Sequence, residues 1–168
     1  DNVWDVWLTL VIANEAPAGH RMDSEPRYRA LFLGAGPQMR CGVGQFTRLL
    51  HETIEKLDPG TTISLTLTRD EGSLADIWRA VGSAQAVVCN FPIVAWKRVM
   101  FAPLLALAFA WLRRRKIVLI QHEWCGLHWL RRITYMPALL LADTIVMFSP
   151  LVQRELAEDP LFGWTAKK

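Results

Sequence analysis

Cysteine is scarce in this sequence. Its 168 residues include three cysteines, Cys41, Cys89 and Cys125, an odd number that cannot pair completely. Complete disulfide sets stabilise many small secreted domains, so this content predicts a protein of a reducing compartment. The chain opens without a basic segment followed by an apolar one, so we expect no secretory signal. These absences together predict a cytoplasmic location.

Long uncharged apolar runs are also absent. The longest extends over fourteen residues from Val99 to Leu112 and contains Pro103. As a helix it would span about 21 Å, whereas the hydrocarbon core of a bilayer is about 30 Å thick. We therefore expect no transmembrane helix. Apolar residues nevertheless make up 52% of the chain, which is enough for the core of one folded domain.

Acidic residues are almost missing from one part of the chain. Between Val94 and Ala142 there are eight Lys or Arg residues and one acid, Glu123, although the whole chain carries a net charge of only +3. A basic region beside Trp-rich apolar sequence predicts an anionic partner: a membrane surface, a lipid phosphate or a nucleotide, and not a nucleic acid. The candidate membrane or anion contact is the run Arg113, Arg114, Arg115 and Lys116. The alternative is a core helix whose C-terminal cations interact with the helix dipole.

From Tyr28 onward, apolar strands alternate with helices. This order predicts an α/β fold with a Rossmann-like, doubly wound parallel sheet that is covered on both faces. Residues 28–168 form this single domain, and residues 1–27 are expected to be an N-terminal extension outside the fold. The predicted strands are 30–33, 61–68, 86–89, 116–120 and 144–148. The predicted helices are 43–57, 74–81, 96–115, 129–141 and a last one from Ser149 through 156, with Ser73 and Ser149 as N-caps.

A glycine-rich turn, GAGPQMRCGVG over residues 34–44, follows the first strand. Glycines that open a helix let backbone N–H groups approach a phosphate, and the helix dipole favours the negative charge. The spacing does not match the dinucleotide-binding pattern, because Met39 and Thr47 stand where a third glycine would be needed. No Gly-Lys-Ser/Thr follows, so the turn is not a P-loop either. A phosphate-binding turn and a plain tight turn both remain open at this point.

His122 directly follows the fourth predicted strand. In doubly wound sheets, ligands bind beyond the carboxyl ends of the strands, at the switch in strand order. We expect the order 3-2-1-4-5, which makes strands one and four neighbours and places the glycine turn and His122 at one crevice. The alternative is a surface or core histidine. Zinc bound by His122, Cys125 and His128 is a further alternative, but no fourth ligand is evident, and we expect no metal and no cofactor.

The first strand, CGVGQFTRLL, KIVLIQHEW and ADTIVMFS, in this order and spacing, resemble the N-terminal domain of the retaining GT-B glycosyltransferases of family 4. The resemblance begins at Tyr28 and covers nearly all of the rest of the chain. It implies that Gly42, Gly44 and Ser149 form a wall against the donor diphosphate and that His122 lines the active site near the transferred sugar. The family's second domain holds a basic pair and a Glu-x7-Glu motif, and neither has a counterpart in these 168 residues.

The resemblance therefore implies the acceptor-side half of a two-domain glycosyltransferase. The complete enzyme would move a sugar from a nucleoside diphosphate to a lipid-linked or polysaccharide acceptor, as a cytoplasmic protein that is peripheral on the inner face of the membrane. His122 is the predicted catalytic residue, and this chain alone is expected to be inactive. The rival hypotheses are a non-catalytic module that binds a nucleotide or an anionic lipid, and a flavodoxin-like or other doubly wound enzyme.

Overall fold

A computed structural model of the chain describes residues 28–34, 41–67, 73–92 and 101–168. Strands and helices alternate through these ranges as predicted, with bounds that differ by a few residues. The elements, in chain order, are β1 (Tyr28–Gly34), α1 (Gly42–Leu57), β2 (Thr62–Thr66), α2 (Leu74–Gly82), β3 (Ala84–Phe91), α3 (Phe101–Leu112), β4 (Lys116–Gln121), α4 (Trp129–Leu141), β5 (Thr144–Met147), α5 (Pro150–Ala157) and a 3-10 helix (Gly163–Lys167). The predicted extension over residues 1–27 and the predicted start of α3 before Phe101 lie outside the described residues.

The five strands form one parallel sheet, which confirms the predicted Rossmann-like α/β fold. The central strands β1, β3 and β4 are buried along most of their length. Burial on both faces explains why their sequences are apolar throughout, without the alternation of a one-sided sheet. None of the described helices is both long enough and apolar enough to cross a bilayer.

The predicted strand order 3-2-1-4-5 is wrong. The observed order is β2-β1-β3-β4-β5, so β3 lies between β1 and β4. The compositions of the strands explain the difference. β2 reads TISLT and is only partly buried, which suits an edge, whereas β3 reads AQAVVCNF and is buried at every residue except Gln85. In this order the chain reverses its direction across the sheet between β1 and β3, and the ligand crevice is expected there.

The side chains of each strand alternate between two covered faces. On one face, Ala30 and Phe32 of β1 pack with Ile54 of α1 and with residues of β3 and β4. On the other face, Leu31 and Leu33 pack in a larger core that includes residues of α2, α3, α4 and α5. We call the first of these the α1 face. Its significance is that the helix opened by the glycine-rich turn covers it.

The predicted helix caps are present. Ser73 Oγ accepts a hydrogen bond from Asp76 N and begins α2, and Ser149 Oγ accepts one from Val152 N and begins α5. At the C-terminal end of α4, Lys168 Nζ donates hydrogen bonds to three backbone carbonyl oxygens. The shortest of these, 2.8 Å, is to Leu140 O. This contact ties the C-terminal residue to the domain. The 3-10 helix was not predicted.

Candidate functional site

Three side chains lie in a row where β3, β4 and β5 end. Asn90 is the second-to-last residue of β3. His122 directly follows β4, and Phe148 directly follows β5. The ladder continues through them, because His122 N donates to Phe91 O at 2.8 Å and Phe148 N donates to Gln121 O at 2.9 Å. Each of the three stands two residues after a residue of the α1 face, namely Val88, Ile120 and Val146. The period of two along a strand therefore places all three side chains beneath α1.

Phe46 of α1 completes this group. Its ring meets His122 edge-on, with centroids 4.9 Å apart, and meets Phe148 edge-on at 5.7 Å. The rings of His122 and Phe148 lie 4.6 Å apart with an angle of 30° between their planes. The three rings thus contact one another as a triangle, with Phe148 on the exposed side. We call Phe46, Asn90, His122 and Phe148 the strand-end cluster.

A hydrogen bond joins the two polar members of the cluster. His122 Nε2 lies 3.0 Å from Asn90 Oδ1, and the Asn90 side chain is fully buried. Burial lowers the pKa of His122 because the imidazolium is poorly solvated there. The histidine is therefore neutral at pH 7. In that state it can donate one hydrogen bond and accept another, but it carries no charge.

The first turn of α1 lies at the same end of the sheet. Cys41 precedes the helix without a capping side-chain hydrogen bond, and the first turn contains no acidic residue. A Cβ at Gly42 would meet no described atom within 4 Å, and a Cβ at Gly44 would meet only Cys41 Cβ, at 3.8 Å. The N-cap side chain therefore leaves the leading N–H groups of α1 without a capping acceptor, and the described residues leave the Cβ positions of Gly42 and Gly44 open. This is a suitable surface for an anion.

The route by which we expected His122 to meet the glycine-rich turn is wrong. β3 separates β1 from β4, so the strand ends do not place the two side by side. Instead, Phe46 stands one turn after Gly42 on α1 and contacts His122 directly. Residues 35–40 of the turn lie outside the described residues.

The loop after His122 is anchored to the C-terminal part of the chain. Trp124 is fully buried, and its Nε1 donates to Asp159 Oδ2 at 3.0 Å. Arg132 Nη1 donates to the same oxygen at 3.0 Å. Backbone N–H groups of Leu161 and Phe162 donate to the other oxygen of Asp159, at 2.9 and 3.1 Å. Asp159 thus fixes the segment that leaves the strand-end cluster.

The other predicted site residues lie away from the cluster or have structural partners. Ser149 is the N-cap of α5, as described above. The basic run 113–116 precedes β4 and therefore lies at the opposite edge of the sheet from His122. Arg113 stacks over the Trp78 ring at 4.0 Å, and Arg115 Nη2 donates to Gly82 O at 3.0 Å. The structure does not bring this run together with the strand-end cluster.

The zinc alternative gains no support from the positions of its ligands. His128 Nδ1 accepts from Leu130 N at 3.4 Å and caps α4, while Cys125 N donates to Glu155. In the described part of the chain, no three His, Cys, Asp or Glu side chains are grouped so that they could hold a metal ion.

Sequence reasoning missed three of the four members of the cluster. Phe46 falls within the predicted helix 43–57 and Phe148 ends the predicted strand 144–148, and neither position by itself indicates a site. Asn90 carried the clearest signal, because it is the only amide or charged residue in the run from Ala86 to Phe91. A lone amide near the end of a buried strand, two residues after Val88, would have indicated a polar side chain on the α1 face.

Comparisons with known proteins show no family for this chain. No protein-family profile matches it, and no curated protein matches its sequence. Among solved structures, it is similar to a CMP N-glycosidase of Clostridium botulinum, with 12% sequence identity over 71% of this chain and 88% of that one, and a TM-score of 0.41. A likeness at this level carries no argument about function, so the proposal below depends on the site itself and on the resemblance of its motifs.

Proposed function

We propose that the chain is the acceptor-side half of a glycosyltransferase that moves a sugar from a nucleoside diphosphate to a lipid-linked or polysaccharide acceptor. The observation that carries this proposal is the position of a neutral, oriented histidine, His122, at the same sheet edge as the uncapped first turn of α1. These two features match the two parts of a nucleotide-sugar donor. One is an anion and the other carries hydroxyl groups.

In this proposal the two features have separate tasks. The diphosphate lies against Gly42 and Gly44, where N–H groups and the helix dipole face it. His122 makes a hydrogen bond with a sugar hydroxyl. Catalysis of this kind depends on electrostatic stabilisation of the departing diphosphate in a closed cleft. The resemblance implies that a second domain, with the basic pair and the Glu-x7-Glu motif, closes over this wall.

Donor binding is tested first on the 168-residue chain. The ¹⁵N-labelled chain is titrated with UDP, GDP and their hexose conjugates, and backbone amide shifts are followed. We expect saturable shifts at residues 42–45 and at His122, and weaker sugar-dependent shifts in His122→Ala. His128→Ala is the matched control, because His128 belongs to the same loop but lies outside the cluster. Shifts confined to other regions would contradict the site assignment.

Turnover is tested in the enzyme that carries both halves. His122→Ala should lower kcat roughly 10²-fold or more, the scale of losing one interaction made in the transition state. His128→Ala should leave kcat within about two-fold of the wild type, as expected for an exposed residue outside the site. Wild-type turnover by His122→Ala would refute the catalytic role. Nucleotide binding by this edge without any transferase activity would favour the non-catalytic binding module.

We also propose that the protein binds the surface of an anionic membrane. α3 and α4 pack side by side, and neither contains an acidic residue. Trp129, Ile133, Met136 and Leu140 recur at helical spacing along the outer side of α4, and Trp129 is 60% exposed. Arg114 is exposed just after the end of α3. The exposed large apolar residues of the two helices are Phe101, Trp111, Leu112, Trp129, Leu130, Ile133, Met136 and Leu140.

Sedimentation with liposomes tests the membrane proposal. Apolar side chains would enter the interface, and each nearby Lys or Arg adds about 1 kcal/mol on anionic lipid, less at high salt. We expect binding to anionic vesicles that the double variant Trp129→Ser/Ile133→Ser abolishes. Leu49→Ser/Leu57→Ser, which removes two exposed leucines of α1, is the control. Equal binding to neutral and anionic vesicles, or binding to neither, would contradict the proposal.

A further inference from the structure

Asn90 is an unusual residue for its place in the fold. It lies in the most buried strand of the sheet, between Cys89 and Phe91, and its side chain is fully buried. Its Oδ1 lies 3.0 Å from His122 Nε2, but its Nδ2 has no hydrogen-bond partner among the described residues. A buried amide that leaves a donor unpaired costs stability, and an apolar side chain would avoid that cost. The contact with His122 is therefore the feature of Asn90 that calls for a function.

The contact determines where His122 carries its proton. A side-chain carbonyl oxygen can only accept a hydrogen bond, so the nitrogen that faces Asn90 Oδ1 must be protonated. A neutral imidazole has one N–H group, so Nδ1 then has a lone pair. Nδ1 receives no hydrogen bond from a described residue. The His122 side chain as a whole is only half-buried.

The two phenyl rings restrict the alternatives. Phe46 and Phe148 contact the imidazole at 4.9 and 4.6 Å between centroids, and neither ring offers a competing polar group to Nε2. The contacts on two sides of the imidazole therefore disfavour a rotation that would exchange its two nitrogens. Burial is the cause of the lowered pKa of His122, so the surroundings favour the neutral form that the contact requires.

We propose that Asn90 is the positioning residue of this site, holding His122 in the tautomer protonated at Nε2 so that Nδ1 accepts a hydrogen bond from a substrate hydroxyl. The identity of that substrate rests on the function proposed above, whereas the tautomer does not. The proposal narrows the role of His122. The imidazole orients a substrate hydroxyl by accepting a hydrogen bond from it. It does not supply positive charge to the diphosphate; that stabilisation comes from the first turn of α1.

The tautomer can be read directly from the 168-residue chain without any substrate. Long-range ¹H–¹⁵N correlation of the imidazole rings distinguishes the nitrogen that bears a proton, because Nε2 couples to both ring carbon-bound hydrogens and Nδ1 mainly to one. The chain has four histidines, and His122→Ala identifies the signals of His122. At a pH above the pKa of His122 we expect a protected proton on Nε2. A proton on Nδ1 would overturn the proposal.

Two variants of Asn90 test the cause. Asn90→Leu removes the acceptor, and the Nε2 proton should then exchange with solvent about ten-fold faster or more. Asn90→Asp keeps an acceptor and adds a charge, so the affinity of His122 for a proton should rise about ten-fold or more. Gln85→Leu is the control, because Gln85 is an exposed amide on the same strand. If Asn90→Leu does not fold, the titration of Asn90→Asp decides, and an unchanged pKa of His122 overturns the proposal. An unchanged exchange rate in folded Asn90→Leu, or an equal change in Gln85→Leu, does so as well.

Activity then separates this inference from the proposed function. In the enzyme that carries both halves, Asn90→Leu should lower kcat with little change in KM, and it should add little to the effect of His122→Ala. If His122→Ala turns over normally while the tautomer and the variants behave as expected, the transferase role fails and the positioning role of Asn90 stands. If His122 proves catalytic but its tautomer is insensitive to Asn90→Leu, the positioning role fails alone.

Discussion

Replacing Asp159 by alanine should destabilise the domain more than the loss of a surface ion pair would. The Asp159 side chain is 5% exposed and receives four hydrogen bonds: one from the buried indole of Trp124, one from Arg132, and two from backbone N–H groups. Asp159→Ala leaves the indole N–H buried and unpaired, at a cost of about 1–3 kcal/mol. It also leaves a partly buried guanidinium without its partner; such losses cost about 3–5 kcal/mol when the pair is fully buried.

The magnitude expected for Asp159→Ala is about 3 kcal/mol, since the Arg132 side chain remains 26% exposed and water replaces part of what is lost. For a domain of this size, that corresponds to a fall in Tm of roughly 6–12 °C. Urea denaturation followed by tryptophan fluorescence measures it. Asp58→Ala is the matched control, because Asp58 and Arg29 form an ion pair 3.4 Å apart with both side chains more than half exposed. Its loss should cost less than about 1 kcal/mol.

Acid titration gives a second measure of the same interaction. Burial alone would raise the pKa of Asp159, but the hydrogen bonds from Leu161, Trp124, Phe162 and Arg132 outweigh it and hold the pKa below the ordinary value. A carboxyl group with a lowered pKa in the folded state contributes stability above its unfolded pKa of about 3.9, and this stability is lost as the pH falls through the folded value. The wild type should therefore lose stability below about pH 4 more steeply than Asp159→Asn. Equal losses for Asp159→Ala and Asp58→Ala, or parallel acid profiles, would show that Asp159 does not fix the loop after His122.

Three further predictions concern the ends of the fold and the site. Deleting residues 1–21 should leave Tm almost unchanged, whereas a large fall would show that the apolar run at 6–13 packs into the core. Gly44→Val should fold normally, because among the described residues the new Cβ would meet only Cys41. Nucleotide binding should nevertheless weaken about ten-fold or more, because the added side chain blocks access to the backbone. Unchanged affinity in the NMR titration would contradict this. The pKa of His122 is lowered by burial, so the neutral form dominates at pH 7, and transfer should decline only as the pH falls below the ordinary histidine pKa of about 6.5. A pH–rate profile of the two-domain enzyme, with His122→Gln as the comparison, measures that acid limb.

Local features of the sequence predicted the elements of the fold, but not their pairing. The strands and helices follow from short apolar runs and from caps such as Ser73 and Ser149, which depend on neighbouring residues only. The strand order depends on which strand pairs with β1, and that is a contact between distant residues. The partial polarity of β2 against the full burial of β3 did contain the answer, because an edge strand tolerates TISLT better than a central one does.

The candidate site was predicted in part for the same reason. His122 could be predicted because a histidine directly after an apolar strand is visible in the sequence without knowledge of the fold. Phe46 and Phe148 could not be distinguished from ordinary core residues, since their role arises only when α1 crosses the ends of β4 and β5. Asn90 required the alternation of β3 to be followed to its last residues and combined with that of β4. Phe46, two residues after the glycine-rich turn, contacts His122, whereas contact between the turn itself and His122 stays a prediction.

The polar groups at the two ends of the strands have different surroundings, and this difference supports the proposed place of the ligand. At the amino edge, Arg113 stacks on Trp78 and Arg115 bonds to the carbonyl of Gly82, so these cations serve the packing of α2 against the start of β4. The buried Nε of Arg113 nevertheless has no hydrogen-bond partner among the described residues. At the carboxyl edge, hydrogen-bonding capacity is left over in the described residues: the first-turn N–H groups of α1, the amide nitrogen of Asn90 and Nδ1 of His122. Polar groups beneath α1 that lack hydrogen-bond partners lower the stability of the fold, and packing alone gives no reason for their presence. A ligand with an anionic part and hydroxyl groups would satisfy the exposed members of that set together, and for this reason we propose the carboxyl edge, and not the more basic amino edge, as the place for the sugar nucleotide.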